Sequence, residues 1–309
     1  MIQELENNAV FTTEYRNTAP AEGDLAAVFE NGGRNLLMRL REDGSMELPE
    51  AVLFRKYWLD PDDGDAVRKT AENGGRLVYL FTVGGTSYYT FIYNGPETPD
   101  FSFTGMEFLP FSFENRPLPK NVFFGAETSW QLSSWYNDNR CCGRCGAPMA
   151  VHPKIRCVRC TSCGYMVFPR VLPAVIIAVI HNDRLLMIRY RGREEDGYAG
   201  TALIAGFCEI GETIEDTVRR EVMEEAGLKA ANIRYYKSQP WGFASNLLFG
   251  VICDIEGSDE IAVHDTDEVA EAVWLSREEI HKRYNGVSLT NEMIAYFRYG
   301  EDFRSHLEV

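Results

Sequence analysis

The sequence predicts an α+β protein in three parts: a mainly β N-terminal domain over residues 1–137, a compact four-cysteine segment over 138–170, and a domain of mixed strands and helices over 171–309. Three observations lead there. Aromatic and β-branched runs fill the first third of the chain. Six of the eight cysteines fall between Cys141 and Cys163. From Val171 onward, apolar strand-like runs alternate with one strongly marked amphipathic helix. At 309 residues, 45% hydrophobic and 25% charged, the chain is globular in composition and long enough for two or three domains.

In the N-terminal part, "NLLMRLR" from Asn35, "RLVYLFTV" from Arg76 and "TSYYTFIY" from Thr86 read as strands. Gly84 and Gly85 join the last two as a hairpin. "PDDGDAVRKTAENGG", from Pro61, reads as a loop with one helical turn. "FSFENRPLPKNVFFG", from Phe111, carries two prolines and reads as a connector. No catalytic pattern stands out here, so a structural or dimer-forming β domain is expected.

The cysteine segment is "CCGRCGAPMAVHPKIRCVRCTSCG". Cys142 with Cys145 and Cys160 with Cys163 form two C-x-x-C knuckles separated by fourteen residues. Each knuckle turns two thiolates toward one point, and four thiolates complete a tetrahedron around Zn²⁺. Four protein ligands leave no open position, so such a metal is structural. Cys141 and Cys157 are surplus, as small buried or half-buried residues. Between Arg140 and Arg170 there are six Lys or Arg and no Asp or Glu, in a chain of net charge −15. Compensation for an anionic zinc centre explains this, and so does a local site for phosphates or an RNA end.

Beyond Val171, strands are expected at "AVIIAVI", "RLLMIRY", "TALIA", "IRYYKSQ", "LLFGVICDI" and "EAVWL", and helices at "SREEIHKRY" and "LTNEMIAYFRYG". The strongest helix lies in "GFCEIGETIEDTVRREVMEEAGL", from Gly206. Thr213 is its N-cap, Asp216 the capping-box partner and Gly227 its stop. Ile214, Val218, Val222 and Ala226 give the buried stripe. Glu221, Glu224 and Glu225 fall on one arc of about 100° beside that stripe. Like charges so spaced repel, and a divalent cation relieves the repulsion. Mg²⁺ suits the position because it binds a few carboxylates and fills its shell with phosphate oxygens and water.

This segment resembles the Nudix box, G-x5-E-x7-R-E-U-x-E-E-x-G-U with U aliphatic, at every fixed position: Gly206, Glu212, Arg220, Glu221, Val222, Glu224, Glu225, Gly227 and Leu228. The resemblance implies an α/β/α sandwich around a mixed sheet, and hydrolysis of a nucleoside diphosphate linked to another moiety with Mg²⁺ or Mn²⁺. It implies Ala205 (through its carbonyl), Glu221, Glu225 and Glu268 as metal ligands, and Glu221, Glu224 and Glu225 as the catalytic set. Which carboxylate serves as base stays open. Glu212 and Arg220 are expected as a supporting ion pair.

The four-cysteine ribbon, "FPR" at Phe168, the box and then "SQPW" at Ser238 together resemble the NADH pyrophosphatase branch. That likeness covers the chain from about Trp130 onward. It implies cleavage of NAD(H) to nicotinamide mononucleotide and AMP, removal of NAD caps from RNA, and a homodimer. Phe207 and a partner-subunit Phe168 would sandwich the adenine, while Gln239, Trp241, Phe243, Asn246 and Thr290 would line the substrate cleft. The branch's marker SQPWPFPxS is altered here to "SQPWGFASN". Gly242 and Ala244 replace prolines and Asn246 a serine, which predicts a more flexible wall. The alternatives are a diphosphatase for ADP-ribose, FAD, dinucleoside polyphosphates or NAD-capped RNA, and a nucleic-acid-binding regulator with a Nudix-like sensor. The intact carboxylate set weighs against the regulator. The net negative charge disfavours general binding to nucleic acid or membrane. The longest apolar run, Val171 to Ile180, is too short to span a bilayer. The acidic, polar opening lacks a signal-peptide pattern, so a cytoplasmic location is expected.

Overall fold

A computed structural model of the chain describes residues 3–15, 19–30, 34–54, 75–93, 101, 104–112, 118–191, 201–263, 267–281 and 284–307. It divides into two compact units, one of residues 4–170 with 242–244, the other of residues 1–3, 171–241 and 245–309. Among the described residues, no helix is long and apolar enough to cross a membrane.

In the first unit, the strands Gly75–Val83 and Thr86–Tyr93 form the expected hairpin, with Gly84 and Gly85 at φ 56° and 89°. They sit inside a four-stranded sheet. The strand Asn35–Leu40 centres a second, three-stranded sheet. Buried Leu37, Phe54, Tyr79 and Phe91 belong to one apolar core. The loop expected at 61–75 lies outside the described residues apart from Gly75.

The connector expected from Phe111 is corrected. Its second half opens a 19-residue helix, Lys120–Asp138, with Pro119 as N-cap. Proline is tolerated at a helix start, because the first N–H groups have no intrahelical partner. The buried side of this helix carries Glu127, Ser129 and Ser133 among its aromatics, which blurs the apolar period. Gly125 is required there, since a Cβ would overlap the Tyr88 ring. The cysteine segment adds a three-stranded sheet, in the order Met166–Val167, Val158–Cys160, Met149–Val151.

The second unit is built on a seven-stranded mixed sheet. Its central strand, Leu172–His181, pairs parallel with Asn246–Ile255 and antiparallel with Arg184–Tyr190 and Ile204–Phe207. Alternation along that strand separates the two faces. Ala174, Ile176 and Ala178 pack with Leu289, Met293, Ile294 and Phe297 of the helix Leu289–Tyr299. Val175, Ile177 and Val179 pack with Val218, Val222 and Ala226 of the helix Ile214–Ala226. A helix on each face of a mixed sheet is the expected α/β/α sandwich.

Two expectations need revision. "TALIA" is not one strand: Thr201–Ala202 pairs with Arg184–Tyr190, and after Leu203 the strand Ile204–Phe207 pairs with Leu172–His181. "SREEIHKRY" is not a helix across its described residues; 277–279 form a turn. Glu279 accepts the Ser276 N–H at 2.9 Å, and Arg277 reaches Asp183 at 2.8 Å. Both side chains serve the strand end rather than a helix face.

Candidate active site

The helix Ile214–Ala226 starts as its sequence demands. Thr213 Oγ1 accepts the Asp216 N–H at 3.1 Å, and Gly227 ends the helix at φ 69°. These ends fix the rotation of the helix on the sheet. Val218 and Val222 go down into the core, while Glu221 and Glu225 are carried to its edge, 9% and 3% exposed. Glu224, one position round, is half-exposed.

The strand Ile204–Phe207 passes beside these carboxylates. A Cβ on Gly206 would overlap the Glu221 carboxyl, so only glycine lets the two approach. The Ala205 N–H faces Glu225. In a strand, N–H and C=O of one residue leave by the same edge, so the Ala205 carbonyl is also on the carboxylate side. Glu268 acts on Glu221 and Glu225 as a further negative charge, so the chain folds to bring it to the same place.

Arg220 organises the set. Its Nε and Nη2 bind the two Glu212 oxygens at 2.7 and 2.9 Å. Its Nη1 reaches Glu221 at 2.7 Å and Glu224 at 3.0 Å, and its Nη2 also donates to the Phe207 carbonyl at 2.9 Å. Such a fork ties the loop before the helix to the helix itself. Glu212 also accepts from the Glu209 N–H and from Thr217 Oγ1. The Arg220 bond, with these donors, holds its carboxyl down at about 2.

The two buried carboxylates respond the other way. Burial raises Glu221, with Arg220 opposing. Burial and the neighbouring Glu221 push Glu225 up to about 8. Tyr190 donates to Glu225 at 3.2 and 3.4 Å. Sequence reasoning missed Tyr190, because it lies 35 residues from its partner and ends a strand that carries no motif.

The donor set fits a hard divalent cation: two buried carboxylates, a third charge at Glu268 and a strand carbonyl, all oxygen ligands. The helix carboxylates are not gathered as tightly as the cysteines. Among the described residues, Cys142, Cys145, Cys160 and Cys163 are the group whose ligand atoms all lie within 4.8 Å of one another. Cys142 and Cys163 Sγ are 3.7 Å apart, and Cys145 and Cys160 Sγ 3.5 Å. Thiolates about 2.3 Å from one tetrahedral ion stand about 3.8 Å apart, so the two separations match a four-thiolate metal site. The N–H groups of Cys163 and Ser162 point at Cys160 Sγ and hold that thiol down at about 6. Cys157 is fully buried and outside the group, and Cys141 is exposed.

The residues expected to contact substrate divide. Phe207 and Phe168 present open rings, 50% and 53% exposed. Trp241 is half-buried against the core beneath the last helix. Asn246 pairs with it across the hairpin, and its buried Oδ1 has no hydrogen-bond partner. Thr290 is half-buried in the first turn of the helix Leu289–Tyr299.

Two expectations change in kind. Gln239 is fully buried: its Nε2 donates to the Val287 carbonyl at 2.8 Å, and its Oε1 accepts the Leu289 N–H at 2.6 Å. It braces the start of the last helix instead of offering a free amide. Phe243 is 6% exposed, packed against Phe111 and Phe123 with ring centroids 5.3 and 6.0 Å away, so it presents no open face. Nor is the turn loose: Gly242 donates its N–H to Glu127 Oε1 at 2.8 Å.

Comparison with known proteins finds similar sequences and folds. The NUDIX domain model matches residues 171–297. An NAD-capped RNA hydrolase NudC of Haemophilus influenzae is 33% identical over 159 residues, 52% of this chain and 60% of that protein. One from Actinobacillus succinogenes is 37% identical over 161 residues, 51% of this chain and 60% of the relative. The chain thus spans about three fifths of the length of these curated relatives. A crystal structure of a NUDIX hydrolase from Nitrosomonas europaea aligns with a TM-score of 0.43 at 18% identity, covering 55% of this chain and 95% of that one. The NUDIX domain model thus matches the part of the chain that carries the box on the helix Ile214–Ala226, and about half of the chain is similar to proteins of the NudC branch.

Proposed function

We propose that this chain hydrolyses the diphosphate bond of NAD(H), giving nicotinamide mononucleotide and AMP, with Mg²⁺ or Mn²⁺ at the carboxylates and a structural Zn²⁺ at the four cysteines. The observation that carries the reading is the pair of buried carboxylates, Glu221 and Glu225, set beside Ala205 and Gly206. When bound, the divalent ion neutralises the diphosphate and supplies an activated water.

The chain's own residues do the rest. Glu221 and Glu225, with Glu268 and the Ala205 carbonyl, are the ligands. Arg220 fixes Glu221 and Glu224 and, through Glu212, the loop that leads into the helix. Glu224, the most exposed of the three helix carboxylates and paired with Arg220, would take a proton from an attacking water. Phe207 and a partner subunit's copy of Phe168 would hold the adenine between faces, which makes the working form a homodimer. Asn246, which pairs with Trp241 across the hairpin, is taken as a further substrate contact there. We take residues 1–137, 138–170 and 171–309 as the three structural parts, and the cytoplasm as the setting.

The names of the relatives favour a second substrate of the same chemistry, an NAD-capped RNA. One assay separates the readings. Purified protein with Mg²⁺ or Mn²⁺ is given NADH, NAD⁺, ADP-ribose and an NAD-capped RNA, and kcat/KM is compared. AMP release from NADH is expected. Release from none of the four would overturn the diphosphatase, and preference for the capped RNA by more than about a hundredfold would move the assignment there.

A further inference from the structure

Glu127 is a buried carboxylate that the proposed chemistry does not use. It lies mid-helix in Lys120–Asp138 and is 1% exposed. A carboxyl buried among apolar residues is costly unless it has partners. Its partners are the N–H groups of Gly242, at 2.8 Å, and Phe243. The approach is close: a Cβ on residue 242 would stand 2.6 Å from the Glu127 carbonyl oxygen and 3.0 Å from its Cγ. The next residues are held as well. Phe243 packs on Phe111 and Phe123, and Arg34 Nη2 donates to the Phe243 carbonyl at 3.3 Å. Ser245 leaves the turn at φ 58°, a left-handed conformation that a serine adopts only where its surroundings impose it. By contacts, residues 242–244 belong to the compact unit of residues 4–170, although Trp241 and Ser245 on either side of them do not.

We infer that Glu127 is a positioning residue for substrate recognition: its carboxyl fastens the Gly242–Ala244 turn and so sets Trp241 and Asn246, which pair across that turn. The functional part of the inference rests on the dinucleotide reading; the fastening does not. The physical logic is one of exclusion. A turn with glycine at 242 has an N–H to donate and no Cβ, so an acceptor can come within hydrogen-bonding distance of the backbone. A turn with proline there restrains itself through φ, but has no N–H and carries a ring. The two devices cannot share one site. Putting proline at 242 would remove one of Glu127's two donors and drive the ring into the helix backbone.

The test uses the full-length protein and two readouts: hydrogen exchange of peptides covering 238–248, and KM against kcat for NADH. Glu127→Leu is expected to speed exchange at the turn about tenfold to a hundredfold, because two buried N–H groups lose their acceptor. It should raise KM about fivefold, as a loop that must now be ordered on binding, with kcat within about twofold. Glu127→Gln, whose carbonyl still accepts, should restore both. Gly242→Pro should raise KM like Glu127→Leu. If Glu127→Leu does not fold, Glu127→Asp, one carbon short of the turn, is expected to speed exchange there. Wild-type exchange in the Leu or Asp variant overturns the fastening. An unchanged KM in a folded Leu variant, or a Gln variant as impaired as Leu, overturns the positioning role. Should the wild type leave NADH intact, the substrate reading fails, and the exchange measurements still decide whether Glu127 holds the turn.

Discussion

The helix Ile214–Ala226 and the turn Gly242–Ala244 are both rigid, and they are made rigid in opposite ways. The helix carries its restraints with it. Its cap is one residue ahead, its stop one residue behind, and Arg220 binds groups no more than 13 residues distant. The turn has almost nothing of its own. It is fixed by Glu127, 115 residues away, and by Arg34, 209 residues away. On the proposed reading, chemistry is thus anchored locally and recognition remotely. A fault in the helix should strike the reaction itself, and a fault at the turn's anchors should strike binding.

The largest effect should come from the helix. Glu225→Gln keeps shape and burial but removes the charge proposed to meet the cation, and kcat should fall at least about a hundredfold, the scale of a lost catalytic electrostatic contact. Metal titration should show weakened Mn²⁺ binding with little change in the circular dichroism spectrum. Next in size is Gly206→Ala. Its Cβ would overlap the Glu221 carboxyl, so that side chain must move off its position. A loss of about tenfold or more in kcat, with KM near the wild-type value, marks a displaced catalytic group. An equal loss carried by KM alone would break the contrast between the two regions.

The cysteines supply a control that belongs to neither region. Cys160→Ser removes one of four ligands whose sulfurs already stand at metal-site spacing. On the proposed zinc site, it should lower the zinc content, measured by a chromogenic chelator, and lower the melting temperature by several degrees, since a structural metal contributes directly to folding. Residual protein that still folds should keep its kcat, because the four ligands leave no position for substrate.

What could be read from the sequence follows the same division. Thr213, Gly227 and the four-residue stripe from Ile214 define the catalytic helix because each acts on its own neighbours. The four cysteines are likewise legible, since two short knuckles need only meet. Tyr190 gives no such sign, because its meaning comes from Glu225 across the sheet. The helix Lys120–Asp138 escapes notice for a related reason. Glu127, Ser129 and Ser133 stand on its buried side, and two prolines precede it, so its pattern resembles a connector. The clearest case is Gly242. As a sequence change from proline it suggests looseness, yet the space it leaves is filled by the Glu127 backbone. A residue's freedom is decided by what surrounds it.

A further prediction sharpens this last point, and it concerns stability. Burial pushes the Glu127 carboxyl from the ordinary 4.5 up to about 8, with the Gly242 and Phe243 N–H groups opposing. The sign follows from proton counting. Below pH 4.5 the folded and unfolded chains both hold this proton. Between 4.5 and about 8 the folded chain keeps it while the unfolded chain releases it, so stability falls as pH rises through that window. Glu127→Gln has no proton to keep. All other groups titrate alike in the two proteins, so their melting-temperature difference isolates this site. The Gln variant should gain on the wild type from pH 5 to pH 8, by at most about 1.4 kcal/mol per pH unit, and the difference should level off above that. A difference independent of pH would mean that the two backbone donors keep Glu127 charged. The turn would then be held by a full carboxylate, and its anchor would be as strongly ionic as the Arg220 network on the helix.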